Sequence, residues 1–332
     1  MLFFLLDPYS VIISCVINTR FYPLESKVPQ ELVYCIYGMN VATSLPLPAR
    51  QSPLQAEVSI LRGAAPDILS AAFSPNQKLQ FDGHRVLLNQ PLFGKLLIEK
   101  QGNILFDFHP SLSQAHTITA IQGSGLGTLL HLRGQIPLHG MAIATDKGAI
   151  VVLADSGSGK STLATAMLLA NLSVFTDDIV ALQADKDGVL QIQPAHRRLK
   201  LSQPQLHTLG IDTSTLSNTA PGIGKFGWDI PEDQFAHTPM PIIKCLFLAP
   251  ARTNNAHAHI SAIGKLEAFQ RLRQSVYRPR LIRVFGHEPS FFSLNQRLQH
   301  QCQSYTMQLP ELGNFSSLTD YGKAIANQLL SL

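Results

Sequence analysis

The feature that most constrains this chain is a glycine- and serine-rich segment between a strand-like run and a helix-like run. Residues 149–163 read AIVVLADSGSGKSTL, so a β-branched apolar stretch leads into small residues, a lysine and two hydroxyls. Small residues let backbone N–H groups surround a polyphosphate, and a helix N-terminus adds partial positive charge. The order therefore predicts strand, phosphate loop and helix, with Ala154 where the usual first glycine would stand.

The loop supplies the first candidate functional residues. Lys160 is expected to reach the outer phosphates, and the Ser161 hydroxyl to ligate Mg²⁺. A plain Gly/Ser-rich turn is the alternative, but the flanking strand and helix patterns disfavour it. The candidate cofactor-binding residues are Ala154, Asp155, Ser156, Gly157, Ser158, Gly159, Lys160, Ser161 and Thr162.

A pair of adjacent acids follows the loop within an apolar run. Residues 174–182 read VFTDDIVAL, which predicts one strand with Asp177 and Asp178 in its middle. Two carboxylates in such a run cost free energy unless a cation meets them. A surface strand end would also explain them, but Mg²⁺ at Asp177 and a substrate hydroxyl at Asp178 are the better partners beside a phosphate loop.

The remaining patterns divide the chain into a β-rich part and a mixed part. Short β-type runs between residues 31 and 110 predict a small antiparallel domain, crossed at 43–53 by a Pro-rich surface segment. Residues 111–133 predict a helix with closely packed glycines, and 136–144 predict a strand that forms a hairpin with the loop strand. The expected domains are an irregular extension at 1–30, a β-rich domain at 31–132 and an ATP-binding kinase domain at 133–332.

The second half of the chain predicts alternating loop, strand and helix. Residues 202–240 are rich in residues typical of loops, and Lys225 lies there in the segment PGIGKFGWD. This lysine could close over the phosphates of a ligand, or it could be an ordinary solvated side chain. The other expected elements are a hairpin at 185–188, strands at 242–248 and 305–309, and helices at 162–170, 263–277 and 317–332.

Composition bounds the compartment and the partners. A chain of 332 residues with net charge +4 and only 14% charged residues argues against nucleic acid as a ligand. The four cysteines are far apart without CxxC pairing, which is typical of reduced thiols in the cytoplasm. Residues 1–19 lack a basic start and are broken by Asp7-Pro8, so we expect neither a signal peptide nor a membrane span. Residues 11–17 are a candidate strand within an irregular extension.

These motifs together resemble the HPr serine kinase family, in particular HPr kinase-related proteins with the kinase domain behind a β-rich N-terminal part. The residues that carry the resemblance are Leu138-His139-Gly140, the loop ADSGSGKST at 154–162, and Thr176-Asp177-Asp178. A looser likeness extends over most of the chain after residue 30. The resemblance implies an α/β protein of α+β character whose core is akin to phosphoenolpyruvate carboxykinase.

The resemblance also implies roles for individual residues. Lys160 would bind the β and γ phosphates, Ser161 would hold the metal, and Asp178 would accept the proton of a hydroxyl. His139 would sit beside Asp178, although a histidine next to glycine in a strand is also typical of a structural residue, and Lys225 would stand across the phosphates. ATP, or pyrophosphate in some members, would be the donor, with Mg²⁺ as cofactor.

Departures from the family pattern leave the acceptor open. Thr162 replaces the acid that follows the loop serine in HPr kinases proper, and the basic run PAHRRLKL at 194–201 stands where a further metal-binding acid would lie. The acceptor is therefore a serine of a protein, a peptide or a small molecule, and a homo-oligomer is implied only by the resemblance. The missing acid and Ala154 keep a nucleotide-binding sensor without turnover as an alternative. An ATP-driven motor is a third, weaker one.

Overall fold

A computed structural model describes residues 31–70, 73–76, 78–155, 157–219, 224–249 and 253–332 of the chain. The expected extension at 1–30, with its candidate strand at 11–17, lies outside these residues. So do the loop residue Ser156 and Gly222 of the segment before Lys225.

The N-terminal part forms one nine-stranded sheet. Its strands are β1 (Leu32–Ile36), β2 (Met39–Thr43), β3 (Arg50–Gln51), β4 (Val58–Arg62), β5 (Phe73–Asn76), β6 (Leu79–Phe81), β7 (Arg85–Gln90), β8 (Gly94–Glu99) and β9 (Asn103–Phe108). They lie in the order β3-β1-β2-β4-β9-β8-β7-β6-β5. The six strands expected from the sequence in this part are present as β1, β4, β6, β7, β8 and β9, and β2, β3 and β5 are additions to them.

The expectation of a purely antiparallel sheet is wrong at its centre. β4 pairs in parallel with both β2 and β9. The chain leaves β2 through the Pro-rich segment, whose two-residue strand β3 pairs only at the sheet edge, and therefore enters β4 in the same direction as β2. β1 ends at Ile36 because Tyr37 and Gly38 have φ of 56° and 78° and turn the chain into β2.

A continuous helical rod follows this sheet, as expected for residues 111–133. It consists of α1 (Gln114–Ala120), a π-helical segment Ile121–Leu126 and α2 (Gly127–Leu132). A Cβ on Gly123 or Gly127 would lie 3.2 Å or 2.8 Å from atoms of the Tyr277 side chain. The glycines thus allow Tyr277 to pack against the rod, which confirms the close packing expected of them.

The second sheet carries the loop strand at its centre. The strands of this part are β10 (Leu138–Thr145), β11 (Gly148–Leu153), β12 (Val174–Thr176), β13 (Ile179–Val180), β14 (Leu182–Ala184), β15 (Leu190–Ile192), β16 (Arg198–Ser202), β17 (Lys225–Asp229), β18 (Met240–Leu248), β19 (His259–Ala262) and β20 (Gln303–Gln308). Its main path is β12-β10-β11-β18-β15-β14, with β13 on β10 and with β20 between β18 and β19. β16 and β17 form a separate two-stranded ladder.

Helices cover both faces of the second sheet. They are α3 (Lys160–Leu169), α4 (Gln203–Thr208), α5 (Lys265–Gln274), α6 (Arg280–Phe285), α7 (Glu288–Gln301) and α8 (Leu318–Ser331). Alternate residues of β11 point into two cores, since Ile150 and Val152 pack with α3 and α8 whereas Val151 and Leu153 pack with α5 to α7. Double burial explains why the strand reads as an unbroken apolar run.

The mixed α/β class expected from the sequence is confirmed. α6 and α7 were not predicted from the sequence. The predicted domain boundary at 132/133 stays a prediction. No helix in the described part of the chain combines the length and the apolar character that a membrane crossing requires.

Candidate active site

The phosphate-loop segment leaves the carboxyl end of β11 and enters α3. Gly157 and Gly159 have φ of 86° and 98°, a left-handed conformation that side chains with a Cβ rarely adopt. A Cβ on Gly157 would meet nothing within 4 Å, so the loop is open on that side. Ala154 is buried under the loop at 6% exposure and belongs to the core beneath α3.

Lys160 lies at the first position of α3 and is bound by the loop itself. Its Nζ donates to the carbonyl oxygens of Ala154 and Asp155, at 2.6 Å and 2.9 Å. Burial lowers the pKa of this ammonium, and the carboxylates of Asp178 and Asp177 oppose that shift. The loop therefore holds a cation at its centre, within the field of the acid pair.

The two hydroxyls after Lys160 have different surroundings. Thr162 Oγ1 accepts a hydrogen bond of 2.9 Å from the side-chain amide of Gln205, at the first turn of α4. Ser161 is half-buried and lines the cavity in front of the loop. Ser161 is thus the better placed of the two hydroxyls to meet a metal ion.

The sequence predicted one strand with both acids in its middle, but the structure places the acids between two strands. β12 ends at Thr176 and β13 begins at Ile179, and both strands pair with β10. The register on β10 shifts between Ala142 and Ile143, and the Gly140 N–H donates to the Asp178 carbonyl at 3.2 Å. This irregularity takes the two acids out of the regular strand pairing, but both carboxylates stay buried and need partners inside the protein.

Asp178 is held between a histidine and a lysine. Its Oδ2 accepts from Lys200 Nζ at 2.5 Å, and its Oδ1 lies 3.3 Å from His139 Nδ1. His139 Nδ1 also lies 3.1 Å from the Asp178 carbonyl oxygen, so it faces two acceptors and must carry the proton. Burial alone would raise the pKa of Asp178, but Lys200 and His139 outweigh it and hold that pKa well below its usual range.

Asp177 has the opposite environment one residue earlier. Burial, together with the negative charge of Asp178, raises its pKa to about 6. Its Oδ2 accepts from the Lys200 N–H at 3.3 Å, whereas its Oδ1 is buried without a hydrogen-bond partner. A buried carboxylate oxygen that lacks a partner is the kind of group that a hard cation satisfies, so the residues present fit Mg²⁺.

One cavity of about 520 Å³ brings these groups together. Its walls carry three lysines and two acids, together with His139, the loop glycines and several hydroxyls. The charged members are Lys160, Lys200, Lys225, Asp177 and Asp178. No group of three or more His, Cys, Asp or Glu side chains among residues the structure describes could hold a metal by itself. A metal ion would therefore also need the oxygens of Ser161 and of a bound phosphate.

The sequence placed Lys225 in a loop, but in the structure Lys225 reaches this cavity from a strand. It is the first residue of β17, opposite Ser202 of β16, and its carbonyl accepts from the Thr219 N–H at 2.9 Å. The ladder fixes its backbone beside the cavity. Each loop candidate from Ala154 to Thr162 has been placed by the structure except Ser156, which lies outside the described residues.

Lys200 is a candidate site residue to which the sequence alone assigned no role. In the sequence it is one member of the basic run at 194–201. The segment RLKLS nevertheless alternates polar and apolar residues, as a strand does, so that Arg198, Lys200 and Ser202 share one face. Leu199 and Leu201 are fully buried on the other face. This alternation was the available signal, but nothing local indicates that the lysine face meets the acids.

A buried polar pair supports the acids from behind. Tyr37, at the β1–β2 turn, places its hydroxyl 3.2 Å from His196 Nδ1. Burial lowers the pKa of His196 to about 3, so this ring is neutral. Burial and the nearby charges of Asp178, Tyr277 and Asp177 raise the pKa of Tyr37 well above its usual value. The turn between β1 and β2 thus contributes an uncharged hydrogen bond close enough to the acids for their charges to act on Tyr37.

Comparison with known proteins shows a likeness only at the level of solved structures. The sequence matches no protein-family model and no curated protein. The fold is similar to that of the HPr(Ser) kinase/phosphatase from Coxiella burnetii, at 12% identity and a TM-score of 0.32, over 59% of this chain and 91% of that chain. A likeness of this size carries no inference about function.

Proposed function

We propose that the protein is an ATP- and Mg²⁺-dependent kinase that transfers the γ-phosphate to a hydroxyl, that of a serine. The observation that carries this proposal is the convergence of Lys160, Ser161 and the Asp177-Asp178 pair on one cavity in front of an open phosphate loop. Phosphoryl transfer requires charge neutralisation and an oriented acceptor more than covalent chemistry from the enzyme. The three lysines and the acid pair supply these two requirements.

In the proposed reaction the acceptor oxygen forms a bond to the γ-phosphorus as the bond from that phosphorus to the bridging oxygen breaks. The bonding electron pair leaves with ADP, and the hydroxyl proton passes to Asp178. His139 fixes the orientation of that carboxylate through its Nδ1–H. The low pKa of Asp178 is compatible with this role, because the hydroxyl loses its proton late in a loose transition state.

The proposed metal site uses oxygens on both sides of the cavity. Ser161 and the unpartnered Oδ1 of Asp177 would hold Mg²⁺, which when bound neutralises phosphate charge. Lys160 binds the β and γ phosphates from the loop, and Lys225 meets them from the β16–β17 ladder. The electropositive cavity as a whole concentrates an anionic donor.

The proposal includes a core akin to phosphoenolpyruvate carboxykinase and a relationship to HPr kinase-related proteins. Its support is the set of residues quoted for the resemblance, now with His139 at 3.3 Å from Asp178. The acceptor is a protein, a peptide or a small molecule, and the proposed setting is the cytoplasm, without nucleic acid or membrane partners. A homo-oligomer remains part of the hypothesis.

The test is transfer of label from γ-labelled ATP to serine-containing acceptors in the presence of Mg²⁺. Lys160→Ala and Asp178→Asn should each reduce transfer by about 10²-fold or more, since each removes a charge acting on the reacting groups. Lys186→Ala and Asp187→Asn, in the exposed turn between β14 and β15, are the matched controls. Equal transfer by all four variants would refute the assignment of the site.

A nucleotide-binding sensor is the second candidate, and one contact favours it. Lys200 occupies Asp178 Oδ2 at 2.5 Å, so this acid is engaged before any acceptor arrives. A sensor would bind ATP tightly without transferring label to any acceptor, and Lys200→Met would not create transfer. Label transfer by the unaltered protein decides for the kinase.

A further inference from the structure

A second cavity adjoins the phosphate loop on the side of α8. Its volume is about 360 Å³, and it shares Gly159 and Thr162 with the phosphate-loop cavity. Its other walls are the segment Leu309 to Gly313 and the ring of Tyr321. We call it the Glu311 cavity, after the single acidic side chain in its lining.

The walls of the Glu311 cavity are fixed by tertiary contacts. A side chain on Gly322 would clash with the Ala166 carbonyl, so the glycine lets α8 lie directly against α3 and brings Tyr321 beside the loop. The opposite wall is pinned to Thr253, whose N–H donates to the Leu309 carbonyl at 3.0 Å and whose carbonyl accepts from the Glu311 N–H at 3.2 Å. The cavity is thus formed before any ligand arrives, as small-molecule sites usually are.

The chemistry of the lining is mixed in a particular way. Pro310 and Leu312 present apolar surface, and Leu312 is 48% exposed although it is a large hydrophobic residue. Glu311 adds a carboxylate, which accepts hydrogen bonds from hydroxyls and repels phosphate. A polyphosphate does not suit this lining, whereas a flat base against Leu312 and a ribose diol against Glu311 do.

We propose that the Glu311 cavity is the nucleoside subsite of the phosphate donor, which makes the donor a nucleoside triphosphate and not pyrophosphate. The inference rests on the proposed function, because it takes the phosphate loop to hold the donor phosphates. With the phosphates at Gly157 to Lys160, the shared residues Gly159 and Thr162 lead directly from them to the second cavity. Glu311 binds the ribose 2′- and 3′-hydroxyls, and Leu312 covers the base.

Calorimetric titration with ATP and with inorganic tripolyphosphate, each with Mg²⁺, tests this subsite without any acceptor. The unaltered protein should bind ATP at least about tenfold more tightly than tripolyphosphate, since only ATP fills both cavities. Glu311→Gln should weaken ATP about tenfold through loss of a charged hydrogen-bond acceptor. Neither Glu311→Gln nor Leu312→Ala should weaken tripolyphosphate.

The ribose contact has its own readout. 2′,3′-Dideoxy-ATP should bind the unaltered protein about as weakly as ATP binds Glu311→Gln, and Glu311→Gln should not distinguish the two nucleotides. Glu31→Gln and Leu266→Ala, exposed residues outside both cavities, are the matched controls and should bind all ligands as the unaltered protein does.

The outcomes separate the two levels of the hypothesis. Equal affinity of the unaltered protein for ATP and tripolyphosphate would overturn the nucleoside subsite while leaving the phosphate loop intact. So would an equal loss of both ligands in Leu312→Ala. If neither ligand binds the unaltered protein, the proposed function fails and the subsite fails with it.

Discussion

The two sides of the active-site cavity are built in different ways. On the loop side, Lys160 binds carbonyls only five and six residues away, and glycines in left-handed conformations shape the backbone. On the acid side, Asp178 binds Lys200 and His139, which lie 22 and 39 residues away on other strands. The loop side is therefore a local structure, whereas the acid side exists only after the strands have assembled.

The electrostatics differ in the same sense. The ammonium of Lys160 contacts neutral carbonyl groups and faces an open loop. Asp177 and Asp178 are adjacent like charges, and Lys200 is the cation that bonds to both residues, through its Nζ and its backbone N–H. Removing a charge should thus affect binding on the loop side and folding on the acid side.

The largest expected effect on stability is that of Lys200→Met. It leaves two acids without their main counter-charge, and loss of one partner of a buried ion pair typically costs about 3–5 kcal/mol. Because 28% of the Lys200 side chain is exposed, we expect about 3 kcal/mol off the free energy of unfolding. Lys160→Met should cost less, about 1 kcal/mol, because burial already disfavours the charge that its two hydrogen bonds hold. Urea denaturation at pH 7 measures both.

A double variant guards this comparison against a general packing defect. Asp178→Asn combined with Lys200→Met removes the stranded charge together with its partner, so the pair should recover part of the lost stability. If Lys160→Met destabilises the protein as much as Lys200→Met does, the contrast between a local loop side and an assembled acid side is wrong.

A smaller effect should appear in the pH dependence of stability. The pKa of Asp177 is raised from 3.8 to about 6 in the folded protein, so between these values the folded state holds more protons than the unfolded state. The contribution of Asp177 to the free energy of unfolding therefore increases as the pH falls from 7 to 4, by roughly 2 kcal/mol. Asp178, with its lowered pKa, contributes in the opposite direction, and only below about pH 4.

The difference between the unaltered protein and Asp177→Asn isolates this contribution. Denaturation at several pH values should show the two free energies of unfolding converging or crossing between pH 7 and pH 4, because only the acid gains stability there. Parallel curves over this range would contradict a raised pKa of the buried Asp177 carboxyl.

The smallest expected effect belongs to Tyr37→Phe. The substitution removes one hydrogen bond of 3.2 Å to a neutral, buried His196 and should cost about 1 kcal/mol of unfolding free energy. Thermal denaturation measures this loss. Tyr34→Phe in β1 is the matched control, because the Tyr34 hydroxyl makes no hydrogen bond to the residues that the structure describes. A loss above about 3 kcal/mol would mean that Tyr37 supports the acid side more directly than through His196.

The success of the sequence-based predictions also differs between the loop side and the acid side of the cavity. The loop strand, the loop and α3 were predicted because their pattern is local and repeated over adjacent residues. The break between β12 and β13 was not, because the run VFTDDIVAL has the same letters whether or not β10 shifts its register against it. The parallel pairing of β4 was not predicted for a similar reason. The direction of β4 depends on the path that the Pro-rich segment takes between β2 and β4, and local sequence does not show that path.

By itself, the sequence determined the glycine-rich loop between β11 and α3 and its candidate residues. Glycine permits the left-handed turns, β-branched residues favour a doubly buried strand, and both are properties of neighbouring residues. The tertiary structure decided that Lys200 neutralises Asp178, that Asp177 keeps one oxygen without a partner, and that Glu311 lies beside the loop. Each of these depends on strands or helices distant in sequence, and the energy of a charge depends on its surroundings, which only the assembled fold supplies.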